Sequence, residues 1–382
     1  MGHTLKMSDY IPFALQEEIM KRLPTKSLLR FRTVSKAWKS LIDSSRFVVD
    51  YSVNHTHQHH LLVRYSPPIG LGQKYVSIVD DEIFPEHKCS LPDPASEGVG
   101  LAIVGSCQGL FCIYTISSGE AERSLIYTAS IWNPSIRKSV AIDVSQVLDP
   151  DSDIVFGFGV CPHTGDPKLV KVNFPKSKQN LDSITFTPWQ VEVYTLSSQV
   201  WRSIPTINQP RNSVQLLWDQ VVIDGLIYWL AIDGRTTGFP GYNMIVSFDM
   251  TSEKFMEVSL PATLAHAHDR RVVISKLKES LVAVELVREA EKRVYSVWMM
   301  EDGVPNSFTK LFTINLPDVS IQRVLGIRKN DEPIFATRPD DNAHDVFIHE
   351  LHSEHISYTR ISGHGTLYSA GSYMETLLLL DH

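Results

Sequence analysis

Three segments of the chain align without a gap: Tyr194-Thr-Leu-Ser-Ser-Gln-Val-Trp201, Phe248-Asp-Met-Thr-Ser-Glu-Lys-Phe255 and His349-Glu-Leu-His-Ser-Glu-His-Ile356. Each ends a strand, crosses a polar turn containing serine, and meets an apolar residue that opens a return strand. Trp132-Asn-Pro-Ser-Ile-Arg-Lys138 is a looser copy, and Trp298 begins another, stretched by Glu301 to Ser307 before Phe308. With Val79 in front, the anchors Val79, Trp132, Tyr194, Phe248, Trp298 and His349 recur every 50 to 62 residues. A period of about 50 residues with four strands per unit is the signature of a kelch-like propeller blade. Six anchors predict six blades.

The surrounding sequence agrees with that period. Leu110 to Tyr114, Leu226 to Leu230, Leu281 to Leu286 and Pro333 to Ala336 each precede an anchor strand and read as second strands. Gly109, Gly225 and Glu279-Ser280 supply turns before three of them. The last apolar run, Thr376 to Leu380, is predicted to pair with Leu61 to Tyr65 and close the ring. Closure removes an exposed strand edge.

Before residue 50 the pattern is helical. Leu15, Ile19 and Leu23 share one face of a first helix, which Pro24 ends. Thr25 is placed to cap a second helix carrying Leu28, Leu29 and Phe31, and Ser35 a third with Trp38, Leu41 and Ile42 on its buried side. The division expected is a tail over 1–8, a three-helix unit over 9–50, a linker over 51–60 and the propeller over 61–382. Charge divides at the same place. Residues 9–50 carry 8 Lys/Arg and 5 Asp/Glu, whereas residues 51–382 carry 27 and 38. A helical unit this small cannot bury both faces of its helices, so part of its apolar surface needs cover, either from a partner or from the domain that follows.

The N-terminal run Arg22-Leu-Pro-Thr-Lys-Ser-Leu-Leu-Arg-Phe-Arg-Thr-Val-Ser-Lys-Ala-Trp-Lys-Ser-Leu-Ile42, with Ile11-Pro12 and Glu18-Ile19 ahead of it, resembles the plant F-box. Ala14 stands where that family often has an acidic residue, and Thr25 where it often has valine. Gly105-Ser-Cys-Gln-Gly-Leu110, Trp132-Asn-Pro134, Phe156-Gly-Phe-Gly159, Val191-Glu-Val-Tyr194, Asp224-Gly-Leu-Ile-Tyr-Trp229, Phe248-Asp249, Ser307 to Thr313 and Met374-Glu-Thr-Leu377 follow in the order of the F-box-associated domain. Pollen S-locus and defence-regulating F-box proteins share that order. The resemblance implies a substrate receptor of a Skp–cullin–F-box ubiquitin ligase, docked on a Skp-type adaptor and through it on a cullin. Ile11, Pro12, Leu15, Ile19, Leu23, Pro24 and Leu28 are the expected adaptor surface, with Trp38 and Leu41 bracing the helices from within.

Composition bounds the class of protein and does not specify its function. The 382 residues are 43% hydrophobic and 21% charged, ordinary for a folded globular chain. A formal charge of −7 argues against a nucleic-acid-coating protein. No apolar stretch is long enough for a membrane helix, and the first 20 residues hold no secretory apolar core, so an intracellular protein is expected. Cys89, Cys107, Cys112 and Cys161 form no CxxC pair and read as reduced core thiols.

No catalytic or cofactor motif stands out in the sequence. His55, His57, His59 and His60 are dense in imidazole but lack a companion cysteine or carboxylate, so no metal site is predicted. Gly70-Leu-Gly72-Gln-Lys74 lacks the phosphate-loop spacing, and Gly157 and Gly159 sit within a strand pattern, as turn or bulge glycines. No GxSxG or HExxH occurs. The expectation is a non-catalytic chain without a cofactor. The rival reading is a propeller enzyme or glycan-binding protein with a helical cap.

Loop lengths point to a target face. Connections between third and fourth strands are short: Asn133 to Ser135, Ser197 to Gln199, Thr251 to Glu253 and His352 to Glu354. Those between second and third strands are long: Pro67 to Lys74, Ser117 to Ser124, Pro175 to Trp189, Asp233 to Asn243 and Arg338 to Asp345. Long loops gathered on one face of a rigid scaffold suggest a binding surface for an unidentified protein. Within them Trp189, Arg235, Phe239 and Tyr242 are the predicted anchors, and Asp340, Asp341 and His344 the predicted steering charges.

Overall fold

A computed structural model of the chain describes residues 11–55, 60–66, 73–84, 88–91, 99–118, 125–144, 152–175, 188–205, 209–234, 241–267, 272–289, 292–301, 306–315, 321–328, 330–337, 343–350, 355–364 and 369–379. The predicted tail over 1–8 lies outside them.

The N-terminal part holds helices α1 (Phe13–Met20), α2 (Thr25–Phe31), α3 (Lys36–Ile42) and α4 (Ser45–His55). Ser35 caps α3, its Oγ accepting from the Trp38 amide at 3.1 Å. Thr25 does not cap α2. It is the first helical residue, preceded by Pro24, and its hydroxyl lies 3.1 Å from the Tyr51 hydroxyl. The predicted linker over 51–60 is also corrected, because α4 runs through its first half. The cause is Tyr51, which is fully buried against Phe47 and Leu28 and donates to the Leu23 carbonyl at 2.9 Å.

The remainder is a ring of six four-stranded antiparallel sheets. Blade 1 holds β1 (His60–Tyr65), β2 (Lys74–Val79) and β3 (Lys88–Leu91); blade 2 holds β4 (Val99–Cys107), β5 (Leu110–Ser118), β6 (Leu125–Asn133) and β7 (Lys138–Asp143). Blade 3 is β8 (Ser152–Val160), β9 (Pro167–Pro175), β10 (Gln190–Thr195) and β11 (Val200–Ser203). Blade 4 is β12 (Val214–Ile223), β13 (Leu226–Asp233), β14 (Tyr242–Asp249) and β15 (Phe255–Val258), followed by the short helix α5 (Ala262–Ala265). Blade 5 is β16 (Val272–Leu277), β17 (Ser280–Glu289), β18 (Lys292–Met300) and β19 (Phe308–Asn315). Blade 6 is β20 (Ile321–Ile327), β21 (Pro333–Thr337), β22 (Ala343–Glu350) and β23 (His355–His364). The C-terminal β24 (Ser369–Tyr373) pairs with β1, so blade 1 takes its innermost strand from the far end of the chain.

That closing strand differs from the predicted one. Ser369–Tyr373 pairs with β1, and Thr376 to Leu379 leaves the sheet. The run 376–379 is more apolar, but Thr376 and Leu377 are drawn to partners outside blade 1, described below.

Each interface between adjacent blades has its own apolar cluster. Between blades 3 and 4, Val170, Val172, Trp189, Val191 and Val193 meet Trp229, Val246 and Phe248; between blades 1 and 2, Leu62 and Tyr75 meet Phe111 and Trp132. Strands such as β13 are buried on both faces because each blade is covered twice, which explains their nearly continuous apolar sequences. The repeat of the anchor turns is also conformational. Arg137, Gln199 and Glu253, each five residues after its anchor, have φ of 57°, 55° and 54°.

Gly157 and Gly159 are neither turn nor bulge glycines. Both lie inside the regular β8–β9 ladder, and a Cβ at Gly157 would stand 2.2 Å from the Trp229 ring of the next blade.

Candidate functional site

The helical unit has two apolar faces with different fates. One packs inward: Met20, Leu28, Ile42, Phe47 and Tyr51 form a buried cluster, with Leu23, Phe31, Trp38 and Leu41 around it. Trp38 packs at a tilt on Phe31, ring centres 5.2 Å apart, and donates through Nε1 to Gln16 at 2.8 Å, which fixes α3 on α1. Lys21 ties α1 to α4 through Asp50 (2.9 Å) and Glu17 (3.0 Å), and these carboxylates raise its pKa. The other face carries Ile11, Pro12, Leu15 and Ile19, all exposed, with Leu15 at 55% and Ile19 at 51%. Pro24 is exposed and Leu23 half-buried.

Leu28 departs from the expected surface. It is fully buried in the helical core, because α2 turns its Leu28 side toward Tyr51, the residue at which the expected linker began. Phe13 (49% exposed) and Val34 are further exposed apolar residues that the sequence reading missed.

The C-terminal tail joins this unit to the propeller. Leu377 is fully buried and belongs to the helical cluster, together with Ile136 from the β6–β7 turn. The Glu375 carboxylate accepts from the Thr25 amide at 2.9 Å, capping α2 where Pro24 has no side-chain cap to offer. On the propeller side, Asn133 donates to the carbonyls of Thr376 (3.1 Å) and Leu378 (2.7 Å), and Ser135 bonds the Tyr373 hydroxyl and the Thr376 amide. A fully buried side chain with its neighbours' backbone tied down makes the joint stiff.

This contact orients the ring. In an up-and-down blade the 1–2 and 3–4 connections leave on one face and the 2–3 connections on the other. The helices sit over the 3–4 turn of blade 2, so the 2–3 loops open on the opposite face. The predicted contrast of loop lengths is marked in blades 3 and 4, where 176–189 and 234–241 face turns at 196–199 and 250–254. In blade 5 it is reversed.

The predicted anchors are placed unevenly. Trp189 is buried at the interface of blades 3 and 4, packed on Phe174 and Phe255, each 5.8 Å away. The alternation of β10 extends one residue upstream, so Trp189, Val191 and Val193 all face inward. It is a core residue and no anchor for a target. Tyr242 is exposed, its hydroxyl donating to Asp233 at 2.6 Å, while Arg211 lies 3.0 Å from the same carboxylate. Arg235, Phe239, Asp340 and Asp341 lie outside the described residues; His344 is in β22 and its side chain lies outside them too.

Of the histidines, His60 opens β1, with Nδ1 3.1 Å from the Ser77 hydroxyl and its ring edge-on to Tyr373. Cys112 and Cys161 are buried and Cys107 half-buried, all three free; burial pushes the Cys107 thiol up to about 11 and Cys112 higher still. Among the described residues, no three His, Cys, Asp or Glu side chains gather as a metal site would need, and no helix is long and apolar enough to cross a membrane.

Comparison with known proteins matches this architecture. Residues 9–50 match the F-box domain model, and residues 42–370 the F-box associated beta propeller domain model. F-box protein CPR1 of Arabidopsis thaliana is 25% identical, over 97% of this chain and 89% of its own length. A second Arabidopsis thaliana F-box protein is 26% identical over 92% and 86%, and an F-box/kelch-repeat protein of the same plant 22% over 80% and 79%. The two models overlap over residues 42–50, and the chain belongs to the F-box proteins that carry an F-box-associated β-propeller domain.

Proposed function

We propose that this chain is the substrate receptor of a Skp–cullin–F-box ubiquitin ligase. Its F-box docks on a Skp-type adaptor, and the propeller holds a target protein on the face that bears the 2–3 loops. The observation that carries the reading is the fate of the two apolar faces. The inward face is satisfied by Tyr51 and Leu377 of the same chain, whereas Ile11, Phe13, Leu15 and Ile19 remain exposed together on one short helix and the turn before it. Contiguous apolar exposure of this kind marks a protein interface, in which a few anchors carry most of the binding energy. Pro12 and Pro24 are exposed as well, and Leu23 is half-buried.

No bond-making step falls to this chain in that reading. It contributes proximity, raising the effective concentration of the target beside the ubiquitin-carrying subunits. The test is co-purification of the full chain with a Skp-type adaptor, followed by titration of variants. Leu15→Ala and Ile19→Ala should each weaken adaptor binding by about tenfold or more, the scale of an interface anchor. Their melting should stay at the wild-type temperature, since both side chains face outward. Adaptor affinity unchanged in the double variant would refute the assignment. Leu28→Ala should instead lower melting, because its side chain is in the core.

A further inference from the structure

The innermost strand of blade 4 departs from its ladder on the way down the channel. β12 pairs Leu216 with Ala231 and resumes at Gln220 with Trp229, so residues 217–219 bulge from the sheet. Gln220 pins that bulge to blade 3: its Nε2 donates to the Phe158 carbonyl and its Oε1 accepts from the Phe158 amide, both at 2.7 Å. A Cβ at Gly105 would lie 2.0 Å from the Gln220 amide nitrogen, so glycine at 105 is what lets the side chain in. The bulge is therefore held by blade 3 and given room by blade 2.

It presents Trp218. The indole stacks on Tyr114 of blade 2 at 5.5 Å and 20°, and Tyr114 stacks on Tyr127 at 6.3 Å and 24°, with Phe156 of blade 3 against both tyrosines. The two tyrosines are buried, but Trp218 is 46% exposed. Tyr127 pairs with Ile116 close to the 2–3 loop of blade 2, and β8 begins at the same end. The Tyr127 end of the ladder thus lies toward the face turned away from the F-box, and Trp218 lies midway along β12.

Exposed carboxylates lie near both ends of the ladder, and one buried cation lies beside its middle ring. Asp219 follows Trp218 and is exposed; Asp153, exposed on β8, adds to burial in pushing up the Tyr127 hydroxyl. The buried Arg64 of blade 1 is a cation acting on Tyr114, where burial dominates and the hydroxyl is pushed up to about 12. The chain beyond residue 50 is acidic as a whole, with 38 carboxylates against 27 basic residues. An exposed aromatic face beside carboxylates is a receptor for a cation, and tryptophan is the strongest such face.

We propose that Trp218 is the main contact for the captured protein and receives one of its lysine or arginine side chains, laid on the free face of the indole beside Asp219. This rests on the receptor reading and adds the chemistry of the target. The probe is Ac-Gly-Arg-Gly-Arg-Gly-amide, titrated into the full chain labelled with 5-fluorotryptophan and followed by fluorine NMR. The Trp218 resonance is assigned by its loss in Trp218→Phe. It should shift saturably with the arginine peptide and its lysine counterpart, while the other tryptophans stay in place and the glutamate counterpart has no effect. Asp219→Asn should weaken the arginine peptide by about three- to tenfold.

No saturable shift with either cationic peptide, or an equal shift with the glutamate peptide, would overturn the proposal. A shift with chitotetraose in place of the cationic peptides would overturn it too, in favour of a carbohydrate platform. None of these titrations involves the adaptor. Loss of adaptor binding would therefore sink the ligase reading while leaving the peptide result standing, and the converse holds equally.

Discussion

Leu377→Ala tests how the F-box is held on the propeller. Leu377 is fully buried among Met20, Leu28, Ile42, Phe47 and Tyr51, while Asn133 of the propeller holds the backbone on either side of it. Truncating a buried leucine costs about 2–5 kcal/mol, with the cavity contributing as well as the lost transfer energy. A helical unit of this size is marginal alone, so the loss falls on the helices before it reaches the ring. At about 1.4 kcal/mol per tenfold, local opening of the F-box should rise roughly 30-fold at the low end of that range. Native-state hydrogen exchange read by mass spectrometry measures this directly. Peptides covering α2 and α3 should exchange faster by that factor, and a peptide covering β13 should not change. Exchange of α2 and α3 within twofold of wild type would refute the argument that the tail is the rivet. Equal acceleration in β13 would refute the claim that the joint and the ring are separable. Adaptor and target binding should both survive in this variant, while ubiquitin transfer falls because the two are no longer held in fixed relation.

Three further outcomes are expected. Gly157→Ala places a Cβ 2.2 Å from the Trp229 ring in a packed interface and should cost about 1–3 kcal/mol as overpacking, read as a lower melting temperature with adaptor binding unchanged. Burial pushes the carboxyls of Asp43 and Glu253 up, but hydrogen bonds from Arg32 and Lys39 to the first, and from Arg202 and Lys168 to the second, outweigh it and lower both pKa values. Their stabilisation is complete above the unfolded-state pKa of about 4 and is lost as pH falls through the depressed folded value. Melting temperature should be level from neutrality to about pH 5 and fall below it, with Asp43→Asn and Glu253→Gln both flattening the fall. Cys107, its thiol raised to about 11 by burial, should react with iodoacetamide at pH 8 far more slowly in the native chain than in the unfolded one; equal rates would place it on the surface.

The sequence alone determined the features that repeat or are local. Anchors 50 to 62 residues apart, each followed by a polar turn, specify six blades because strand alternation and turn chemistry act within a few residues. The F-box motif run and the capping of α3 by Ser35 were legible for the same reason. The exposure of Leu15 and Ile19 followed only in part from spacing, which shows that a face is apolar and leaves open what covers it. Tertiary structure decided the rest. Leu28 is buried because Tyr51 arrives from the next helix, and Trp189 because blade 4 supplies Phe255. The choice of Ser369–Tyr373 over the more apolar Thr376 to Leu380 as closing strand depends on Asn133 and the F-box core, which are more than 200 residues away in sequence. Trp218 gave no periodic signal at all. Its exposure follows from a bulge held by a neighbouring blade's backbone and from the absence of a side chain at Gly105. Local physics writes a period that can be read along the chain, whereas a contact between distant residues exists only once the ring has closed.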